Sequence, residues 1–197
     1  MGLKTVYLIR HGETAGNIEK RYIGSRTDEP LSKEGLQKLT KWQGSDLKVY
    51  SGPMVRCLET ARILFGTRDV IIVDDLKEID FGDFEGRNYI ELSGDPDYQK
   101  WIDTGGKMPF PNGESREDFI ARSFDAFRKI VSRDASDRIA IVCHGGNIMS
   151  VMSRLTGLGY YDFQIECAGG YHLQLDIRES GEIDVISYLR IYCGTDT

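Results

Sequence analysis

Two short stretches in this chain pair histidine with glycine directly after an apolar run: Ile9-Arg10-His11-Gly12 and Cys143-His144-Gly145-Gly146. Val6 to Ile9 and Ile139 to Cys143 read as buried parallel strands, because strands covered on both faces are continuously apolar rather than alternating. The carboxyl ends of such strands are where open α/β sheets place their ligands. If the two strands lie close together, His11 and His144 meet at one sheet edge, joined by Arg10 and by Arg56 from a helix that starts near Pro53. Glycines beside the histidines let backbone N–H groups approach a tetrahedral anion, and a helix starting at Gly145 adds its positive end. The combination describes a site for a phosphoryl group. Taken singly, a histidine at a strand end is usually a structural residue and an arginine on a helix a surface charge; it is their convergence that favours chemistry. The third histidine, His172, sits in an alternating strand and reads as structural.

The elements that must hold these groups follow from pattern. After the first strand, residues 17–30 read as a polar loop over the sheet edge, with Gly24 inside it. Ser32 suits the N-cap of a helix burying Leu36, Leu39 and Trp42, although Gly35 weakens it. A short strand over 47–50 precedes a helix in which Met54, Val55, Leu58, Ala61, Leu64 and Phe65 recur at helical spacing. Residues 70–73 predict a third strand. The acidic run from Asp74 to Glu85 reads as loop, and a helix starts at Asp95-Pro96. Glycine and proline break the chain over 105–113, and Ser115 with Asp118 caps a helix burying Ile120, Phe124, Phe127 and Val131. A helix over 147–155 follows the second histidine motif. Tyr171–Ile177 and Ile183–Leu189 alternate as a hairpin about the turn at Gly181. The expected fold is α/β: a three-layer α/β/α sandwich with a mostly parallel sheet, one antiparallel edge strand, and a helical and loop excursion over the site at about residues 80–115.

Composition narrows the partners. The 197 residues, 40% hydrophobic and 28% charged, suit a single domain over 1–197. A net charge of −6 argues against a broad nucleic-acid surface, so an anionic substrate must be held by local arginines. No apolar run approaches the roughly 18 residues of a membrane span. The N-terminus enters the first strand directly, without a separate apolar leader, and a cytoplasmic location is the expectation. Cys57, Cys143, Cys167 and Cys193 show no paired CxxC spacing and are expected as reduced thiols. Cys57 and Cys143 are followed six positions later by Ile63 and Met149, so the Cys-x5-Arg loop of cysteine phosphatases is absent. No GxxxxGK[ST] phosphate loop is present either. The oligomeric state is open, a homodimer included.

In order along the chain, Arg10-His11-Gly12-Glu13-Thr14 with Asn17, Gly24 with Pro30-Leu31-Ser32, Pro53 to Arg56 with Glu59-Thr60-Ala61, Glu78 with Phe81-Gly82 and Glu85-Gly86, and His144-Gly145-Gly146 together resemble the histidine phosphatase (phosphoglycerate mutase-like) family. The resemblance runs to about residue 155. It implies that His11 is a nucleophile forming a transient phosphohistidine. It further implies that Arg10, Arg56 and Asn17 hold the non-bridging oxygens, and that a charged His144 adds a donor where transition-state charge gathers. Glu78 is implied as proton donor, with Asp80 and Asp83 as alternatives. Ile23, Gly24 and Gly145, with residues around Tyr89 to Phe110, are expected near the substrate. Neither metal nor cofactor is implied.

Phe84 stands where many relatives carry tryptophan, and Asn147 where an apolar residue is common; such departures bear on substrate rather than chemistry. The compact segment over 80–115 looks more like a phosphatase than a mutase. The order of residues from Leu76 to Gly86, then Asp95-Pro96, Trp101 and Pro111 to Ser115, is most similar to the α-ribazole phosphatase branch, which makes α-ribazole 5'-phosphate the candidate substrate. The alternatives are a broad-specificity sugar phosphate or phosphoglycerate phosphatase or mutase, and a phosphate-binding regulatory module.

Overall fold

The computed structural model describes residues 2–43, 47–66 and 69–193. Its centre is a six-stranded sheet formed by β1 (Leu3–Arg10), β2 (Lys48–Ser51), β3 (Ile71–Ile72), β4 (Arg138–Cys143), β5 (Gly169–Ile177) and β6 (Ile183–Tyr192), in the order β3-β2-β4-β1-β5-β6. β1, β2, β3 and β4 pair in parallel, whereas β5 runs antiparallel to both β1 and β6. The antiparallel edge is thus a two-strand hairpin, with β6 extending to Tyr192.

Six helices accompany the sheet among the described residues: α1 (Ala15–Ile18), α2 (Lys33–Lys38), α3 (Val55–Phe65), α4 (Pro96–Asp103), α5 (Arg116–Arg133) and α6 (Gly145–Thr156). Alternate residues of β1 and β4 feed opposite layers, as the period of a pleated strand requires. Val6, Leu8, Ile139 and Ile141 pack with Phe127, Val131, Ile148 and Val151 of α5 and α6. Ile9, Ala140 and Val142 pack with Cys57, Ala61 and Leu64 of α3. This is the α/β/α layering expected from the apolar runs.

Three local expectations need correction. α2 covers only six residues; Leu36 is exposed, and Leu39 is buried beyond the helix end. The residue α2 buries is Gly35, where an added Cβ would stand 2.1 Å from the Glu13 carbonyl oxygen, so glycine serves a close backbone approach rather than weakening a core helix. α5 buries Phe119, Ser123, Ala126, Phe127, Ile130 and Val131, leaving Ile120 and Phe124 half-buried. Its first turns face the excursion as well as the sheet, a second contact that one apolar stripe cannot encode. The third strand shortens to Ile71–Ile72, both exposed on the sheet edge.

The excursion has its own aromatic core. Phe84 is 1% exposed and sits edge-on to Tyr98, with ring centroids 5.3 Å apart, and Phe110 completes the cluster. Phe84 therefore fills the excursion's interior. Asp80 and Asp83 are engaged there too: Asp80 pairs with Arg26 at 2.7 Å, and Asp83 accepts from the Asn112 side chain at 2.8 Å.

Candidate active site

Register brings the two histidine motifs together. β1 and β4 pair Arg10 with Cys143, and the His11 N–H then donates to the Cys143 carbonyl at 2.9 Å. The rings of His11 and His144 stand edge to face with centroids 5.0 Å apart. His11 is 3% exposed and His144 fully buried.

The proton positions follow from partners. His11 Nδ1 lies 2.7 Å from the Gly12 carbonyl oxygen, which can only accept, so Nδ1 carries the proton and Nε2 keeps its lone pair. Burial foremost, then the Arg10 and Arg56 guanidiniums, holds the His11 imidazole well below the ordinary histidine range. His144 Nδ1 accepts from Arg56 Nε at 3.3 Å, leaving Nε2 as the N–H donor. Burial, then Arg56, His11 and Arg10, likewise depresses His144 well below the ordinary range. The expected charged His144 is therefore corrected to a neutral imidazole that can still donate one hydrogen bond.

Arg56 is 0% exposed and does more than present a charge. Besides His144, it donates to the carbonyls of Thr27 at 2.8 Å and Gly24 at 3.0 Å. The Gly24 and Thr27 N–H groups in turn donate to Glu85 at 2.9 and 3.0 Å. A chain of contacts thus runs from the excursion through the loop to Arg56 and His144. Gly24 acts in this chain rather than on a cavity wall; an added Cβ there would stand 2.2 Å from the Ile79 carbonyl oxygen. Ile23 packs over Gly16 and does not line the main cavity either.

Arg10 donates from Nη1 to the Ile165 carbonyl at 2.7 Å, while its buried Nε has no partner among the described residues. Its guanidinium lies against Gly145, where an added Cβ would meet Nε at 3.4 Å. A buried, unpaired N–H on a cation costs free energy unless an anion completes it. Asn17 is held by a capping box with Thr14, which forms the single turn of α1 within the expected loop. Its Oδ1 accepts from the Thr14 N–H at 3.2 Å. Asn17 and Arg10 share a second recess with Lys38 and Cys167, and Asn17 does not line the larger cavity.

Glu78 is 8% exposed. Its carboxylate accepts from the Ile79 N–H at 2.9 Å and the Gly146 N–H at 3.4 Å. Burial raises it above the ordinary carboxyl range, against the pull of those N–H groups and of Arg56 and Arg10. It lines a cavity of about 780 Å³ together with Arg10, Gly145 and Gly146. The lining is also aromatic, with Tyr22, Phe81, Trp101, Phe110, Tyr160 and Tyr161, and Arg116, Glu166 and Arg190 add charge. Sequence pattern missed Arg116, Tyr160, Tyr161 and Arg190, which come from segments outside the recognised motifs. No group of three or more metal-ligating side chains is gathered among the described residues.

Gly146 is packed tightly against the candidate proton donor. A Cβ at that position would lie 2.4 Å from Glu78 Oε1 and 2.7 Å from Phe119 Cε1. Gly146→Ala is expected to displace the carboxyl and to destabilise the fold by about 1–3 kcal/mol through overpacking, despite alanine's better helix propensity. Thermal melting and kcat would both fall; unchanged kcat would mean that the carboxyl's position is immaterial.

Comparison with known proteins shows the family. Residues 6–181 match the family model described as histidine phosphatase superfamily (branch 1). An adenosylcobalamin/alpha-ribazole phosphatase of Escherichia coli (strain K12) is 29% identical over 163 residues, 78% of this chain and 79% of that protein. A metal-independent phosphoserine phosphatase of Arabidopsis thaliana is 29% identical over 163 residues, 77% of this chain and 68% of that protein. Among solved structures, the alpha-ribazole phosphatase from Shigella flexneri superposes with a TM-score of 0.77 at 26% identity, covering 98% of this chain and 100% of that one.

Proposed function

The chain belongs to the histidine phosphatase superfamily, and from that premise we propose that it hydrolyses a small phosphomonoester through a phosphohistidine at His11. The observation that carries this reading is the pinned tautomer: His11 donates Nδ1–H to Gly12, which keeps Nε2 free to attack. His11 Nε2 forms a bond to phosphorus as the ester P–O bond breaks, and the Glu78 carboxyl protonates the departing alkoxide. Water then attacks phosphorus, Glu78 takes the water's proton, and the P–N bond breaks to release phosphate and His11. Arg10, whose buried Nε lacks a partner among the described residues, and Arg56 hold the non-bridging oxygens. His144 donates from Nε2 to the same group, and Asn17 and the Gly145 N–H add neutral donors. Ile23 and Gly24 support this array from behind. We take 1–197 as one cytoplasmic catalytic domain, with the 80–115 excursion as its cap.

The direction of each shift sets the pH profile. His11 must be deprotonated to attack, and its depression puts the acid limb of kcat/KM below the ordinary histidine value of about 6.5. Glu78 must be protonated to donate, and its elevation puts the alkaline limb above the ordinary glutamate value of about 4.3. Activity therefore rises from strong acid, peaks and falls with increasing pH. Glu78→Gln should remove the alkaline limb and cost about 10²- to 10⁴-fold on alkyl phosphates. An alkaline limb that survives in this variant would assign it to another group.

For the leaving group, the large aromatic-walled cavity favours a flat, bulky alcohol such as α-ribazole, carried as its 5'-phosphate. Its volume of about 780 Å³ far exceeds what a three-carbon acid occupies. Arg116 and Arg190 support a second reading, an acid-bearing substrate such as phosphoserine or phosphoglycerate. A phosphomonoester panel separates them: the first reading expects the highest kcat/KM on the flat, bulky ester, the second on the carboxylate-bearing esters.

A further inference from the structure

α5 grips the segment that carries Glu78. Arg122 donates from Nη1 to the carbonyls of Asp75 at 2.7 Å and Lys77 at 2.9 Å, and from Nη2 to the carbonyl of Glu78 itself at 3.1 Å. Its guanidinium is fixed in turn by Glu114, which accepts from Nε at 2.7 Å and Nη2 at 2.8 Å. The Phe119 ring lies beneath it, 4.8 Å from centroid to Cζ. The Lys77 carbonyl has a second donor, Asn147 Nδ2 at 3.3 Å. Asn147 also donates to Ser123 Oγ at 3.0 Å and accepts from the His144 N–H at 3.1 Å. The Glu78 carboxylate is bonded to two backbone N–H groups, those of Ile79 and Gly146, so its position follows the backbone.

We propose that Arg122, anchored by Glu114 and joined through the Lys77 carbonyl to Asn147, is the positioning residue for proton transfer, holding the Glu78 carboxyl in register with His144. The proposal rests on the reading of Glu78 as proton donor. The fork geometry is essential: a planar guanidinium can reach three carbonyls and a carboxylate together, whereas a lysine ammonium cannot. It also gives the buried Asn147 a task that an apolar side chain cannot perform.

The test exploits the leaving group. An alkyl phosphate needs a proton from Glu78, whereas p-nitrophenolate departs without one. Arg122→Lys is expected to lower kcat/KM, which reports transfer to His11 and not the later attack of water, about 10-fold on an alkyl phosphomonoester, a fraction of what a general acid contributes. On p-nitrophenyl phosphate the loss in kcat/KM should stay under about 2-fold. Glu114→Gln, which leaves Arg122 and its carbonyl bonds in place, should show the same pattern with smaller losses and serves if Arg122→Lys does not fold. Equal losses on both esters, in whichever of these variants folds, would assign Arg122 a structural role alone and overturn the proposal. Glu78→Gln measured alongside separates the two claims. If it discriminates between the esters and the Arg122 and Glu114 variants do not, only the positioning role fails; if it does not discriminate, the proton-donor reading and the proposal fail together.

Discussion

His11→Ala is expected to lower kcat/KM on any phosphomonoester by on the order of 10⁴-fold or more, the scale of losing a covalent nucleophile. No neighbour can replace it. His144 is the other imidazole at the site, but its Nδ1 accepts from Arg56, and its Nε2 then carries the proton. Cys57 Sγ stands 3.4 Å from His144 Nε2, but burial pushes that thiol far above the range in which a thiolate forms. Loss of the ring gives up one hydrogen bond to Gly12 and the edge contact with His144, a stability cost of about 1–3 kcal/mol. The variant should therefore remain folded, and circular dichroism with steady-state kinetics checks both halves. Wild-type turnover in folded His11→Ala would reject covalent catalysis.

Arg56→Ala should damage both fold and activity. Its removal leaves the Gly24 and Thr27 carbonyls and His144 Nδ1 without their donor. Each buried polar group left unpaired costs about 1–3 kcal/mol, so a total of at least about 3 kcal/mol is expected, a fall in Tm on the order of 10 °C for a chain of this size. Activity should drop at least about 100-fold, as when one preorganised transition-state donor is deleted. The loop from Gly24 to Thr27, tied to Glu85, also loses its hold on His144. Arg56→Lys should recover part of the stability but little activity, because an ammonium cannot reproduce the fork. A melting temperature within about 2 °C of wild type in Arg56→Ala would show that the arginine is not the keystone of this network.

Chain order and residue type made the site's skeleton legible. β1 and β4 are buried on both faces, so their apolar runs and following histidines stood out, and placing the two motifs side by side required only that the strands be neighbours. What was hidden depends on contacts between distant segments. The neutrality of His144 arises from burial foremost and then from Arg56, 88 residues away in the chain, and no local pattern encodes that. Gly24 reads as a mouth residue because it lies in a polar loop, yet its carbonyl is spent on Arg56. Arg122 sits in an amphipathic helix, where an arginine reads as solvated; only the fold turns it toward the carbonyls of residues 75, 77 and 78. The same limit applies to the face of α5. Periodicity identifies a stripe, but Phe119 and Ser123 are buried by the Glu78 segment and α6, and that second surface exists only once the chain has folded.

The most direct test of the phosphohistidine is to mix enzyme with a radiolabelled phosphomonoester, quench within the first turnover in alkali, and map the labelled peptide. The mechanism predicts acid-labile, alkali-stable label on the peptide that contains His11, and none in His11→Ala. Stoichiometric label on any other residue, or transient label that persists in His11→Ala, would contradict it.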